Sequence, residues 1–297
     1  MLNIRKNSTF SRTAECLHRK FFRESRFEPH TWQLNDFVLH RNDLDTTSLG
    51  LTIVDHVDAT AKHRVMDKML KYQNSDGIIQ VYFDHARPRI GGYYIYYMNK
   101  WTTNHYSCKD PVVCVNVLNF FYKNGRGHEL PRTLDWVEQV LTNRAYITGT
   151  YYYVSADQFL FFLSRLMYNS SEVRQRLGPM LKERILERFG AEADALSLAS
   201  RIIAACSVGI VDHRDLETLL SMQSEDGSWR NGWLYKFGAS GISIRNDGVT
   251  TALAIRAIQE VDQLRKIQSQ SNPTTKLPFL TSVWGILAKL YIGLVGW

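Results

Sequence analysis

The sequence predicts an all-α protein, a single (α/α) toroid or barrel of repeated helix pairs occupying residues 1–265. Two observations carry that expectation. Segments that are apolar around most of their circumference alternate along the chain with segments that are charged and amphipathic. This is the pattern of inner helices surrounded by protein and outer helices facing water. A turn built on Gln, Asp and Gly also occurs twice, at Gln73…Gly77 and Gln223…Gly227, each after an amphipathic segment. A multi-helix bundle without ring closure is the competing arrangement.

The elements follow in order. Residues 11–24 read as a first outer-type helix. The polar stretch Asn42-Asp43-Leu44-Asp45-Thr46-Thr47 then opens an apolar helix over 45–57, with Asp placed where a cap or first-turn acid is favoured. Residues 61–73 form an outer helix ending in Tyr72-Gln73-Asn74-Ser75-Asp76-Gly77, where Gly accepts the positive φ of the turn. Asp110-Pro111 starts the next inner helix, 110–122, as a cap followed by a proline at the first helical position. Inner helices are expected again at 155–168, 193–208 and 247–261, with outer helices at 132–142, 172–189 and 213–223. Residues 266–276 read as a polar linker, and 277–297 as an apolar helix in which Lys289 is the only charge. If wholly helical, that tail is about 30 Å long, close to the thickness of a bilayer core. It stands open between a sixth inner helix closing the ring, a peripheral membrane or partner contact, and a transmembrane anchor.

With 297 residues, 44% hydrophobic and 22% charged, the composition excludes global disorder. The net charge of +7 suits an anionic partner such as a diphosphate or an acidic surface. Lys and Arg are spread along the outer helices rather than gathered on one motif, so nucleic acid is not an expected partner. The four cysteines, Cys16, Cys108, Cys114 and Cys206, lack C-x-x-C spacing and read as free thiols in a reducing compartment. The first 24 residues hold no sustained apolar run, so no secretory signal is expected. The expected location is cytoplasmic, with peripheral membrane contact through 277–297 as the variant.

Two short motifs carry a resemblance. Gln223…Gly227-Ser228-Trp229 is similar to the QW turn of the class II terpene cyclase and squalene–hopene cyclase superfamily, and Gln73…Gly77 looks like a second copy with Ile79 in the Trp position. Asp43-Leu44-Asp45-Thr46-Thr47 is similar to the superfamily's acid motif in its DxDTT form, with Thr46 where a third Asp can stand. The resemblance implies an α-toroid and an isoprenoid substrate, a prenyl diphosphate. It also implies proton donation by Asp45 with Asp43 as its carboxylate partner, and a structural role for Trp229. Sites in that superfamily lie between two helical domains, so either the cavity lies inside this one ring, or a homo-oligomer or second chain completes it, or the chain is no longer a cyclase. The related zinc-dependent prenyltransferase subunit is not matched, because Asp110 and Cys114 lack a family-like ligand set.

The chemistry of the residues is compatible with that reading. A carboxyl in a dry site stays protonated, and a second acid beside it favours one shared proton. Thr46, Thr47, Asp110, Asn116 and Asp247 are candidate supports for Asp45, although Asp43, Asp45, Asp110 and Asp247 all equally suit helix capping. Aromatic faces stabilise a cation, and Tyr94, Tyr97, Trp101, Tyr152, Phe159 and Trp233 are candidate cavity walls from the aromatic clusters at 93–101, 151–162 and 229–235. Arg87, Arg89, Lys100, Arg230, Lys236 and Arg245 are candidates for a diphosphate rim. No protein metal site is expected, and Mg²⁺ enters only with a diphosphate substrate. The nine histidines show no paired metal spacing. Two rival functions stand beside the cyclase: a carbohydrate-active toroid using paired acids with sugar-stacking aromatics, and a non-catalytic lipid-binding or assembly toroid whose aspartates are caps.

Overall fold

The computed structural model describes residues 43–54, 56–81, 109–236 and 242–270. All belong to one compact unit, Asp43–Trp297, of the two into which the chain divides. The protein is all-α. Its described helices are α1 (Leu44–Ile53), α2 (Ala59–Leu70), α3 (Pro111–Lys123), α4 (Pro131–Thr142), α5 (Ala156–Asn169), α6 (Ser171–Leu186), α7 (Ala195–Ser207), α8 (His213–Ser221) and α9 (Asp247–Gln270).

Most helices begin where a short polar side chain accepts from an otherwise orphaned backbone N–H. Asp43 receives the Thr46 N–H at 2.6 Å, Asp110 the Val112 N–H at 2.8 Å, and Asp194 the Ser197 N–H at 2.8 Å. Ser155 and Gln158 form a reciprocal capping box at the start of α5.

The wet–dry alternation is realised in space. Every residue of α1 is buried, as are residues 112–121 of α3 and 195–205 of α7. The helices expected as inner ones pack in chain order, α1 on α3, α3 on α5, α5 on α7 and α7 on α9. The amphipathic helices α4, α6 and α8 each lie against the apolar helix before them.

Three expectations need correction. Helix α9 is not apolar all round: its buried residues form one stripe through Val249, Leu253, Ala257 and Val261. It also runs to Gln270, so residues 266–270, expected as linker, are its last turn and more. Between the second Gln turn and α9 lies an unforeseen hairpin, β1 (Trp233–Lys236) antiparallel to β2 (Ser243–Arg245). Its strands are too short to show a period-two pattern. The first outer helix, 11–24, and the tail, 277–297, lie outside the described residues. Among the described residues no helix is long and apolar enough to cross a membrane.

The two Gln turns share one hydrogen-bond plan. Gln73 bridges Ile79, and Gln223 bridges Trp229. Gly77 and Gly227 sit at φ 77° and 83°, each donating its N–H to the residue three back. Ile79 N–H meets the Thr133 hydroxyl at 3.1 Å, and Trp229 N–H meets that of Thr251 at 3.0 Å. A helical threonine, of α4 in the first copy and of α9 in the second, therefore holds each turn. Trp229, 2% exposed, also donates its indole N–H to the Leu219 carbonyl at 2.7 Å, locking the turn onto α8. Gly227→Ala is expected to lower stability by about 1–2 kcal/mol, because a Cβ strains the left-handed backbone. Urea unfolding reads the loss, and Gly227→Asn is expected to lose less.

Candidate active site

The first turn of α1 places Asp45 inside the protein, 7% exposed. Asp43, at the cap, is committed to the helix: its carboxylate takes the Thr46 N–H and its carbonyl takes the Thr47 hydroxyl at 2.8 Å. Asp45, two residues on, points instead toward α3 and the loop before α5. Its Oδ1 accepts from Asn116 Nδ2 at 2.7 Å, and its Oδ2 from the Tyr153 hydroxyl at 2.5 Å. Asn116 and Tyr153 are 1% and 0% exposed, so the whole constellation is withdrawn from water.

Burial is the largest influence on this carboxyl and drives its pKa up to about 7. The Tyr153 hydrogen bond opposes it, the charge of Asp43 raises it further, Asn116 lowers it, and Asp110 raises it least. Asp45 is thus an acid that still carries its proton near neutrality. Both its oxygens accept from donors, contacts that favour the carboxylate form and oppose burial, which is the larger influence. Tyr153→Phe is expected to move the Asp45 pKa upward by roughly a unit, because a bond that favours the charged form is removed. Carboxyl ¹³C shifts across a pH series measure it, and an unchanged midpoint contradicts it.

Asp110 is a cap and more. It is fully buried, its Oδ1 receives the Val112 and Val113 N–H groups, and its Oδ2 receives the Tyr152 N–H at 3.2 Å. Burial raises its pKa too. An aromatic layer surrounds Tyr153: its ring meets Phe162 edge-on at 5.2 Å and Tyr235 edge-on at 6.1 Å, while Tyr152 stacks on Tyr235 at 5.6 Å.

Several other expected site residues lie elsewhere. Asp247 is exposed at the start of α9 and accepts from the Asn231 N–H, because Asn246 takes the capping role by receiving the Val249 N–H at 2.8 Å. Thr47 spends its hydroxyl on its own helix rather than on Asp45. Thr46 is 8% exposed and its N–H serves the Asp43 cap. Phe159 is buried against Tyr146 at 4.7 Å, whereas Trp233 is 40% exposed on β1. Arg230 pairs with Asp226, Arg245 with the Asn231 side chain, and Lys236 Nζ with the Thr150 carbonyl at 3.3 Å. Tyr94, Tyr97, Trp101, Arg87, Arg89 and Lys100 lie outside the described residues. Cys114 is buried and Cys206 half-buried, both as free thiols. Among the described residues no three His, Cys, Asp or Glu side chains are grouped to hold a metal.

Tyr153 is the contact sequence reasoning placed least well. Its cluster, Tyr151-Tyr152-Tyr153, was legible as aromatic lining, but nothing local distinguishes the one hydroxyl that reaches the acid.

A helical protein with a buried aspartate at a helix start is the class that fold and site define, and comparison with known proteins adds a likeness to terpene cyclases. Residues 18–124 match the family described as Sesquiterpene cyclase astC-like C-terminal domain, a stretch that includes Asp43, Asp45, Asp110 and Asn116. The chain is also 43% identical, over 219 residues, to the drimenol cyclase drtB of Aspergillus calidoustus. That alignment covers 73% of this chain and 38% of the relative, so the chain spans well under half of that protein's length. Both similarities are to terpene cyclases. No solved structure is significantly similar to the chain.

Proposed function

We propose that this chain starts the cyclisation of a linear prenyl diphosphate by protonating its terminal alkene from Asp45, in the manner of class II terpene cyclases. The observation that carries the reading is the Asp45 carboxyl itself: buried, held by Asn116 and Tyr153, and protonated to about pH 7. In the proton transfer, the Asp45 O–H bond breaks and a C–H bond forms at the alkene terminus. The electrons of the π bond supply that C–H bond and leave a tertiary cation. Ring closures move the cation inward until water or a Tyr hydroxyl takes the final proton. Asp43 keeps a negative charge near Asp45 and so disfavours its early ionisation. Aromatic faces such as those around Tyr153 stabilise the travelling charge.

In this reading the helix pairs close into a toroid, Gln223…Trp229 is a QW-type turn, and Asp43–Thr47 is the DxDTT motif. The names of the similar proteins, a sesquiterpene cyclase and a drimenol cyclase, favour a fifteen-carbon substrate, farnesyl diphosphate. The site is completed by further protein, a second domain or a second chain, and Mg²⁺ accompanies the diphosphate. A carbohydrate-active reading is weaker, because it needs two acids facing one site. Asp110 is consumed as a buried cap, and Asp247 is exposed.

The test incubates purified protein with farnesyl and geranylgeranyl diphosphates and analyses the dephosphorylated products. Cyclic product from the wild type and none from Asp45→Asn is expected. Full cyclisation by Asp45→Asn would falsify the mechanism. Lipid binding without product, unchanged by that substitution, would favour the non-catalytic toroid.

A further inference from the structure

The two side chains that hold Asp45 arrive from separate elements, Asn116 from α3 and Tyr153 from the loop before α5, and one buried residue joins those elements. Asp110 fastens the start of α3 through Oδ1, which accepts from Val112 at 2.8 Å and Val113 at 3.3 Å. Its Oδ2 fastens the loop by accepting from the Tyr152 N–H at 3.2 Å. The Thr150 hydroxyl also bonds Asp110 and accepts in turn from the Tyr153 N–H at 3.0 Å. The Thr150 N–H returns to the Tyr153 carbonyl at 2.8 Å, closing a tight turn around the tyrosine. A helix cap alone needs only the first pair of contacts. The second set spans 42 residues of sequence and holds the backbone of Tyr152 and Tyr153.

We propose that Asp110, acting through Thr150, is a positioning residue for the acid: it clamps α3 to the 150–153 turn so that Asn116 and Tyr153 meet the Asp45 carboxyl together. The proposal rests on the reading of Asp45 as the acid. Asp110 touches neither Asp45 nor substrate in this role.

The order of influences on Asp45 makes the clamp testable by sign. Among the described residues, the ionisable groups facing that carboxyl are Asp43 from its own turn, Asp110 and Cys114 from α3, and Tyr153. The Tyr153 bond, which lowers the Asp45 pKa, outranks the charge of Asp110, which raises it. Asp110→Ser keeps a capping hydroxyl for α3 but cannot span to the Tyr152 N–H. If Asp110 is a clamp, Tyr153 loosens and the Asp45 midpoint rises. If Asp110 acts by charge alone, the midpoint falls. Thr150→Val cuts the link to Tyr153 while leaving both the Asp110 charge and the α3 cap, so it too is expected to raise the midpoint.

The experiment follows the Asp45 carboxyl by ¹³C shifts in aspartate-labelled protein, assigned by the signal lost in Asp45→Asn. Both variants are expected to shift the midpoint upward by roughly half a unit to one unit, approaching Tyr153→Phe. They are also expected to lower kcat roughly tenfold or more at unchanged KM. Asp58→Ala, which removes the cap of α2, is the control for a purely structural loss: lower Tm with no change in the Asp45 midpoint. An unmoved midpoint in Thr150→Val, or a downward one in Asp110→Ser, overturns the clamp. If the midpoints respond as expected but the wild type forms no cyclic product, the clamp stands and the cyclase reading falls.

Discussion

Asp45→Asn is expected to abolish cyclisation, with turnover falling ~100-fold to ~10,000-fold, the usual contribution of a positioned general acid. The amide matches the carboxyl in shape and can still accept from Asn116 and meet the Tyr153 hydroxyl, but it has no proton to give. The wild-type pH profile is expected to be consistent with this. Below about pH 7 Asp45 holds its proton, and kcat/KM falls about tenfold per unit above that. Stability supplies a check independent of turnover. The folded pKa of about 7 lies above the unfolded value near 3.8, so the folded state binds the extra proton between those values. The contribution of Asp45 to wild-type stability is therefore fully present below about pH 4, declines as pH rises, and levels off above about pH 7. The Asn variant lacks this decline. Its stability relative to wild type is expected to increase across that window by on the order of 4 kcal/mol. Parallel stability curves for the two proteins would show that Asp45 is an ordinary carboxylate.

The largest expected loss of stability lies away from this site, at Arg201. This α7 side chain is fully buried. Its Nε and Nη2 meet Asp157 at 3.1 and 3.3 Å, its Nη1 meets Asp215 at 2.8 Å, and Nη2 also donates to the Ala191 carbonyl at 2.9 Å. Arg188 shares Asp157 at 2.9 Å. Four elements (α5, the segment after α6, α7 and the first turn of α8) are tied by this one guanidinium. Lys cannot reproduce such a planar fork. Arg201→Met leaves Asp215 buried beside Asp212, a neighbour that with burial already lifts its pKa to about 6. The expected cost is about 3–5 kcal/mol, or a drop in Tm on the order of 10 °C. Most of it reflects orphaned acids rather than lost attraction. Adding Asp215→Asn to Arg201→Met is therefore expected to restore part of the stability. Thermal denaturation at pH 7 decides it: a shift of only a degree or two in the single variant would mean that the network contributes little.

Local chemistry made much of the fold legible. Asp43, Asp110 and Ser155 announce helix starts because a cap needs only the N–H groups two or three residues ahead. Helix α1 reads as buried because Leu44, Leu49, Leu51 and Ile53 are separated only by small Thr, Ser and Gly residues after Asp45. The two Gln turns could be paired by eye because Gly77 and Gly227 are required by their positive φ. The β1–β2 hairpin and the extra length of α9 were not legible. Short strands carry too little pattern, and the polar end of a long surface helix resembles a linker.

At the site, sequence alone determined that acids stand where α1 begins, since that depends on neighbours within one turn. The DxDTT resemblance named Asp45 as the acid, but the residues themselves left both aspartates equally suited to capping. Asp43 and Asp45 have the same chemistry, and only their directions differ. Tertiary structure shows Asp43 capping α1 and brings Asn116 from 71 residues away and Tyr153 from 108 residues away onto Asp45. It likewise removed Asp247 from the group by leaving it exposed. The physical reason is that a pKa is set by what surrounds a carboxyl in space. Burial and partners from distant elements have no signature in the residues next to it in the chain.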